Sequence, residues 1–378
     1  MITDQASKPS LTRARFEPVQ LDKVPEVGAF LERLGLGGFD ADTVVAHVGR
    51  NDTWAGTTTS GAKAFVKRVG GEPQDVLRRF SRITLFEEVA ARLAAGTELR
   101  APAFLGADEE HRLVAFEHLE EARSGSELSA DDVFDDALCR RAGRILGTLH
   151  SLPVEPGVLD ASPHPLPAIE DFEALTLPVF ASSCFAEIES WSLLQRDAEL
   201  LGALRRLRER ELEAPKVPTH SDLRLDQYLV CDGELYLTDW EEFRAGDAAR
   251  DVGGFVGEWL YRVIQGIPQS IGREAGHVFG QDASHEDILR HGALEIDRLR
   301  PRISAFWQGY RETRPAADED FVPRVAAFAG WHMLDRMLAG ARYVVRLTAG
   351  DRAAAGIGRT VLMAPHDFTS VLGLEGTS

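Results

Sequence analysis

The sequence predicts an α+β chain in two lobes, an antiparallel-sheet lobe over residues 1–120 and a mainly helical lobe over residues 121–378. Three observations carry that reading. Short strand-like segments follow one another at Thr43–Gly49, Asn51–Thr59 and Ala62–Val69, separated by turns containing Gly or Asp. From about residue 130 the apolar residues recur at helical spacing. Within that helical part, residues 219–242 hold a His-x-Asp loop that runs into a hairpin and delivers a further Asp.

The bulk properties narrow the class. At 378 residues, 44% hydrophobic and 27% charged, the chain has ample material for a core. A formal net charge of −18 argues against a basic nucleic-acid-binding face. Cys139, Cys184 and Cys231 are widely spaced and odd in number, which suits a reducing compartment better than a disulfide framework or a zinc cluster. There is no apolar targeting segment at the start and no run of membrane-spanning length, so a cytoplasmic protein with no membrane partner is expected.

Taken in order, residues 1–20 are polar and read as a loose leader. Val27, Phe30, Leu31 and Leu34 form a helical stripe closed by Gly35 and Gly37. The three strands follow. The turn Gly49–Asp52, with Asn51 at its centre, is placed to offer backbone N–H groups to phosphates, although it matches no Walker A loop. Lys67 lies in the third strand, where a cation beneath such a turn would neutralise α- and β-phosphates. A helix is expected over Arg78–Ala95, and Glu87 borders its apolar face within reach of Lys67 for an ion pair. A strand at Arg112–Glu117 follows. Asp131–Ser151 reads as one helix ending at a structural His150. Pro153, Pro156, Pro163, Pro165 and Pro167 then force a loop. Single helices are expected over 170–181 and 185–212, then over Val252–Val263, 284–315 and 319–347, with mixed structure over Ala354–Gly376.

The chemistry is concentrated at 219–242. His220 and Asp222 stand two apart, Gln227 follows five later, and the apolar runs Gln227–Val230 and Leu235–Leu237 flank a Cys231-Asp232-Gly233 turn before Asp239. Phosphoryl transfer needs one group to orient the attacking hydroxyl and others to hold Mg²⁺ on the phosphates. Asp222 suits the first task, and Gln227 and Asp239 the second. His220 reads as a brace for the loop. Arg224, two residues after Asp222, is placed either to neutralise the transferring phosphate or to pack its alkyl stem.

The order of strand lysine, helix glutamate, His-x-Asp-x-x-x-x-amide loop and strand-borne Asp resembles the aminoglycoside phosphotransferase and choline kinase-like family. The matching residues are Lys67, Glu87, the 219–230 loop, Thr238-Asp239-Trp240-Glu241, and Gly246-Asp247 with Asp251. The resemblance implies a bilobal protein-kinase-like fold, with ATP held by the 49–56 turn, by Lys67 and by a hinge at Glu117-His118-Leu119, where Glu117 and Leu119 offer backbone groups to adenine. Two departures stand out. Ser221 replaces the family's usual Gly. Gln227 replaces its usual Asn, which displaces the amide oxygen by roughly one C–C bond at a cation whose geometry is demanding.

A finer resemblance rests on His220-Ser221-Asp222-Leu223-Arg224-Leu225-Asp226-Gln227-Tyr228, on Leu235–Phe243 and on Arg50–Thr58. These are similar to kinase subunits of class V lanthipeptide synthetases. That implies phosphorylation of Ser and Thr in a ribosomal precursor peptide, with lyase and cyclase partners completing thioether rings. Two other readings stay open: a kinase for an aminoglycoside-like small molecule, and a nucleotide-binding pseudokinase scaffold that presents peptide to partners.

Overall fold

The computed structural model describes residues 18–47, 49–93, 96–155, 157–275, 285–314 and 318–375. Most of the expected leader, residues 1–17, lies outside them. Two compact units emerge, one of residues 1–87 with 102–120 and one of residues 88–101 with 121–378.

The first unit begins with α1 (Pro25–Arg33), whose buried face is Val27, Phe30 and Leu31. Next come β1 (Val45–His47), β2 (Asp52–Thr57), β3 (Lys63–Arg68), α2 (Pro73–Ala90), β4 (Phe104–Asp108) and β5 (Leu113–Glu117). The strands form one antiparallel sheet in the order β1-β2-β3-β5-β4. Period-two alternation sends Trp54, Val66, Leu113 and Ala115 to a core shared with α1. The opposite face supplies Val69 and Val114 to a second core with Val76, Phe80 and Ile83 of α2. The three strands expected from the turn signals are therefore present, shortened at their ends.

The second unit opens with β6 (Arg123–Ser124), α3 (Gly125–Ala130) and α4 (Asp136–His150). The expected single helix over 131–151 starts late. Asp132 has a left-handed backbone (φ 61°), and Asp135 caps α4 by accepting from Leu138 N–H. The proline-rich stretch carries no helix before α5 (Ile169–Glu173), which precedes α6 (Leu177–Ser182), α7 (Phe185–Gln195) and α8 (Ala198–Glu213). Sequence periodicity merges these into two helices. The chain breaks them at Pro178, which sits in the first turn of α6, and at Asp197, which caps α8 through Leu200 N–H at 3.0 Å.

β7 (Lys216–Thr219), β8 (Tyr228–Cys231), β9 (Glu234–Leu237) and β10 (Arg244–Asp247) build two small antiparallel sheets, β10-β7 and β6-β8-β9. Behind them lie α9 (Ala248–Ala275), α10 (His285–Thr313), α11 (Phe321–Ala341), α12 (Ala349–Met363) and α13 (Pro365–Phe368). The core of this unit is aromatic, with Phe255 of α9 stacked on Phe306 of α10 at 3.8 Å between centroids. Close approach of α9 to α11 depends on missing side chains. A Cβ on Gly257 would stand 2.6 Å from the Cβ of His332.

Candidate active site

In the first unit Lys67 is buried on β3, opposite Thr53 and Val114. The 49–52 turn is braced from within. Asn51 Oδ1 accepts from Gly70 N–H (3.1 Å) and Arg79 Nη2 (2.9 Å), and Arg79 also donates to Gly70 O (2.7 Å). Asn51, expected among the phosphate-covering groups, thus spends its side-chain oxygen on holding the turn to α2. Glu117 ends β5 with its N–H on Ala103 O at 2.8 Å, and His118 N–H reaches Lys63 O at 3.1 Å. Leu119 N–H has no acceptor among the described residues.

The expected Lys67–Glu87 ion pair is not formed. Glu87 continues the helical row Val76, Phe80, Ile83, so it is carried toward apolar surroundings. Its Oε1 is buried without a hydrogen-bond partner, and loss of hydration pushes the carboxyl up to about 7. A folded pKa raised above the unfolded one means that stability falls as pH rises from about 4.5 through about 7, then levels. Across that window the nucleotide-free Glu87→Gln variant is expected to gain steadily in thermal midpoint relative to wild type. Equal pH dependence of the two proteins would refute the assignment.

In the second unit the His220–Asp222 loop is suspended from one carboxylate. Asp251 accepts the N–H groups of His220 and Ser221 at 2.7 Å each. Its Oδ2 also takes a hydrogen bond from His150 Nε2 at 3.1 Å. Because an ionised Asp251 can only accept, Nε2 carries the His150 proton and Nδ1 accepts from the Tyr310 hydroxyl at 3.0 Å. Burial alone would raise the Asp251 carboxyl, but its hydrogen bonds and the neighbouring histidines outweigh that and lower it. Burial likewise lowers His150 and keeps the ring neutral, which fits the structural role read for it.

His220 is a brace. Its Nε2 donates to Thr238 O at 2.8 Å, and its ring lies 4.9 Å from that of Trp240. Ser221 and Asp239 both adopt left-handed backbone, with φ 69° and 70°. For an L residue this costs about 1–2 kcal/mol, and Ser221 offsets part of it through the 2.8 Å bond between its hydroxyl and that of Thr219. Ser221→Gly should therefore change stability by no more than about 1 kcal/mol and leave turnover nearly intact. A large loss of turnover in that variant would make the hydroxyl functional.

Asp222 keeps 38% of its side-chain surface exposed and pairs with Arg224 Nη1 at 3.0 Å. Loss of hydration raises its carboxyl above the usual range. Arg224 opposes that shift, and the negative charge of Asp239 reinforces it. Arg224 also reaches Asp226 at 3.1 Å. Loss of hydration works against the Arg224 cation, but the Asp222 and Asp226 carboxylates outweigh it and raise its pKa.

Gln227 departs from the expected metal-binding geometry. Its Oε1 accepts from Arg224 N–H at 2.9 Å, while its buried Nε2 has no partner. The backbone carbonyl of Gln227 takes both Thr238 N–H and its hydroxyl at 3.0 Å. The amide oxygen is thus turned back onto the loop, and the atom left over is a donor, the wrong kind for a cation. Asp239 offers a hard carboxylate donor and fits one. Among the described residues no cluster of three or more His, Cys, Asp or Glu is arranged to hold a metal.

A pocket opens beside Asp222, lined by Leu223, Phe328, Trp331, His332 and Asp335 among others. His332 Nε2 meets Glu258 Oε1 at 2.7 Å. Burial would raise the Glu258 carboxyl, yet His332, with Arg336 and Arg224, holds it at about 2. Sequence reading assigned no role to Glu258, His332 or Asp335. A signal existed, because Glu258 lies seven residues after Asp251 on the same helical face, with only apolar residues and glycines between them.

Residues 43–286 match the model of the phosphotransferase enzyme family. The chain belongs to this family and is a phosphotransferase whose acceptor is a hydroxyl group. No curated protein matches it. Among solved structures it is similar to an amicoumacin kinase in complex with AMP-PNP and Ca²⁺, at 15% identity over 89% of this chain and 93% of that one, with a TM-score of 0.51. It is also similar to a macrolide 2'-phosphotransferase from Brachybacterium faecium, at 16% identity, 88% and 97% coverage and a TM-score of 0.46. A choline kinase from Streptococcus pneumoniae gives 18%, 86% and 99%, and 0.43. The protein-kinase-like fold is therefore the one this chain adopts. Among the described residues no helix is long and apolar enough to cross a membrane.

Proposed function

We propose that this chain transfers the γ-phosphoryl group of ATP to Ser and Thr hydroxyls of a ribosomal precursor peptide, in the manner of class V lanthipeptide kinases. The observation that carries the reading is the pocket at Asp222, where a carboxylate of raised pKa stands at the mouth of a partly aromatic recess. Asp222 accepts the proton of the acceptor hydroxyl as its oxygen bonds to the γ-phosphorus. The bond from that phosphorus to the β-phosphate bridging oxygen breaks, and ADP leaves.

Lys67 neutralises the α- and β-phosphates, and Glu117 and Leu119 present backbone groups to adenine. Mg²⁺, held through Asp239, would supply further neutralisation of the phosphate charge. Gln227 acts here by fixing the turn at Arg224, with its oxygen on that residue's N–H. Lyase and cyclase partners would take the phosphopeptide onward, and the cytoplasm, which supplies both ATP and new peptide, is the expected setting. Asp335, which lines the pocket together with Asp222, favours a second reading in which a cationic small molecule is the acceptor.

The test is transfer of label from γ-labelled ATP. Label on Ser or Thr of a co-encoded precursor peptide is the expected result. Label confined to aminocyclitols or choline-like alcohols would overturn the peptide reading and leave the second. Nucleotide binding without transfer to any acceptor would favour a scaffold.

A further inference from the structure

Among the described residues of the second unit, two segments carry several exposed apolar side chains each. Leu177, Phe180 and Phe185 come from the α6–α7 segment, and Tyr343, Val344 and Val345 from the turn after α11. All six are exposed, Leu177 by 77% and Val345 by 83%. Single exposed apolar residues are ordinary, but a contiguous set approaching roughly a few hundred Å² marks an interaction surface.

The two segments are fixed to each other. Cys184 Sγ donates to Ala341 O at 3.4 Å, Leu347 N–H donates to Glu189 Oε2 at 3.0 Å, and the Arg346 guanidinium lies 5.3 Å from the centre of the Phe185 ring. Hydrogen bonds thus spend the polar groups inward and leave the apolar side chains outward. Arg342 and Arg346 bracket Tyr343-Val344-Val345, and neither forms an ion pair among the described residues. In a chain of 60 acidic and 42 basic residues, apolar side chains flanked by two arginines that form no ion pair among the described residues are complementary to a partner that is both apolar and acidic.

The pocket and the turn that carries Tyr343, Val344 and Val345 are joined by α11. Asp335 lines the pocket and Ala341 ends α11, six residues and about 9 Å further along the axis. An extended peptide covers that distance in about three residues.

We propose that this surface docks an acidic, apolar segment of the acceptor peptide itself, a few residues from the hydroxyl presented to Asp222. The proposal rests on the peptide-kinase reading above. Docking at a second point raises the effective concentration of the acceptor hydroxyl at the base and selects peptides by a feature separate from the phosphorylated residue.

The experiment uses the full chain and two labelled amphipathic peptides, one of Leu and Glu and one of Leu and Lys. By fluorescence anisotropy the Leu/Glu peptide is expected to bind and the Leu/Lys peptide to bind at least roughly tenfold more weakly. Arg342→Glu with Arg346→Glu should reverse that preference. Val345→Asp, at a site too exposed to disturb folding, should weaken the Leu/Glu peptide by a similar factor. ATP hydrolysis without acceptor should stay unchanged in all variants.

Equal binding of both peptides, or binding indifferent to the variants, would overturn the proposal. So would a concentration-dependent dimer abolished by Val345→Asp, which would give the surface to a second copy. Sedimentation with phosphatidylglycerol vesicles, lost in the double arginine variant and without peptide binding, would give it to a membrane. Phosphorylation separates the two levels. If Val345→Asp leaves KM for the co-encoded peptide unchanged, docking fails while the kinase reading stands. If the Leu/Glu probe binds but no peptide accepts phosphate, the kinase reading fails and the assignment to an acceptor fails with it.

Discussion

Asp222→Asn is expected to lower kcat by about 10²–10⁴-fold, the usual loss when a general base is removed, while nucleotide affinity survives. The asparagine keeps the shape of the side chain and its contact with Arg224, so the loop should not move. It cannot take the hydroxyl proton. The pH profile gives a second readout. In wild type the acid limb of kcat/KM should lie above the ordinary carboxylate range, because lost hydration and Asp239 raise Asp222 against the pull of Arg224. Removing Arg224 takes away that opposing charge, so the limb of Arg224→Ala should move to still higher pH. Full activity in Asp222→Asn, or an acid limb indifferent to Arg224, would remove Asp222 from the role of base.

Asp251→Ala should be the most damaging single change in the helical unit. It strands the N–H groups of His220 and Ser221 and a ring nitrogen of His150, all fully or nearly fully buried. Removing one partner of such a buried charged network costs about 3–5 kcal/mol. Turnover should fall as well, since the loop that aims Asp222 loses its anchor. Urea unfolding and steady-state kinetics on the same preparation check both. Tyr310→Phe provides a graded control, because it removes only the outermost donor of the chain, for about 1 kcal/mol, and should leave turnover largely intact. An Asp251→Ala protein as stable and as active as wild type would show that the loop is held by other means.

How much of this could be read in advance follows from the range of each interaction. The strands of the sheet unit and the 219–242 hairpin were legible because alternation and turn residues act over a few positions. Helix ends were less so. The breaks before Asp136 and Ala198 depend on Asp135 and Asp197 folding back on their own backbone, a choice that competes with helix and leaves the apolar period intact. Ion-pair geometry was least legible. Glu87 had the right spacing to meet Lys67, but the helix row that carries it is apolar, and rotation about the helix axis is set by packing against the sheet. The orientation of the Gln227 amide depends on one N–H three residues earlier, a contact that residue type alone does not specify. The Tyr310–His150–Asp251 chain joins three helices far apart in sequence, so no local pattern contains it.

Gly257 closes α9 against the ring of His332 and has no side chain of its own to place there. His332 lines the pocket beside Asp222, and its partner Glu258 is the next residue along α9 after Gly257. The width of the recess beside Asp222 is therefore set by a position that touches no substrate. Successively larger residues at 257 would act as a wedge between two helices, trading acceptor size against helix packing with the base left in place. Relatives of this chain that accept bulkier or slimmer hydroxyl compounds could be sorted, and new ones engineered, by what stands at that single crossing.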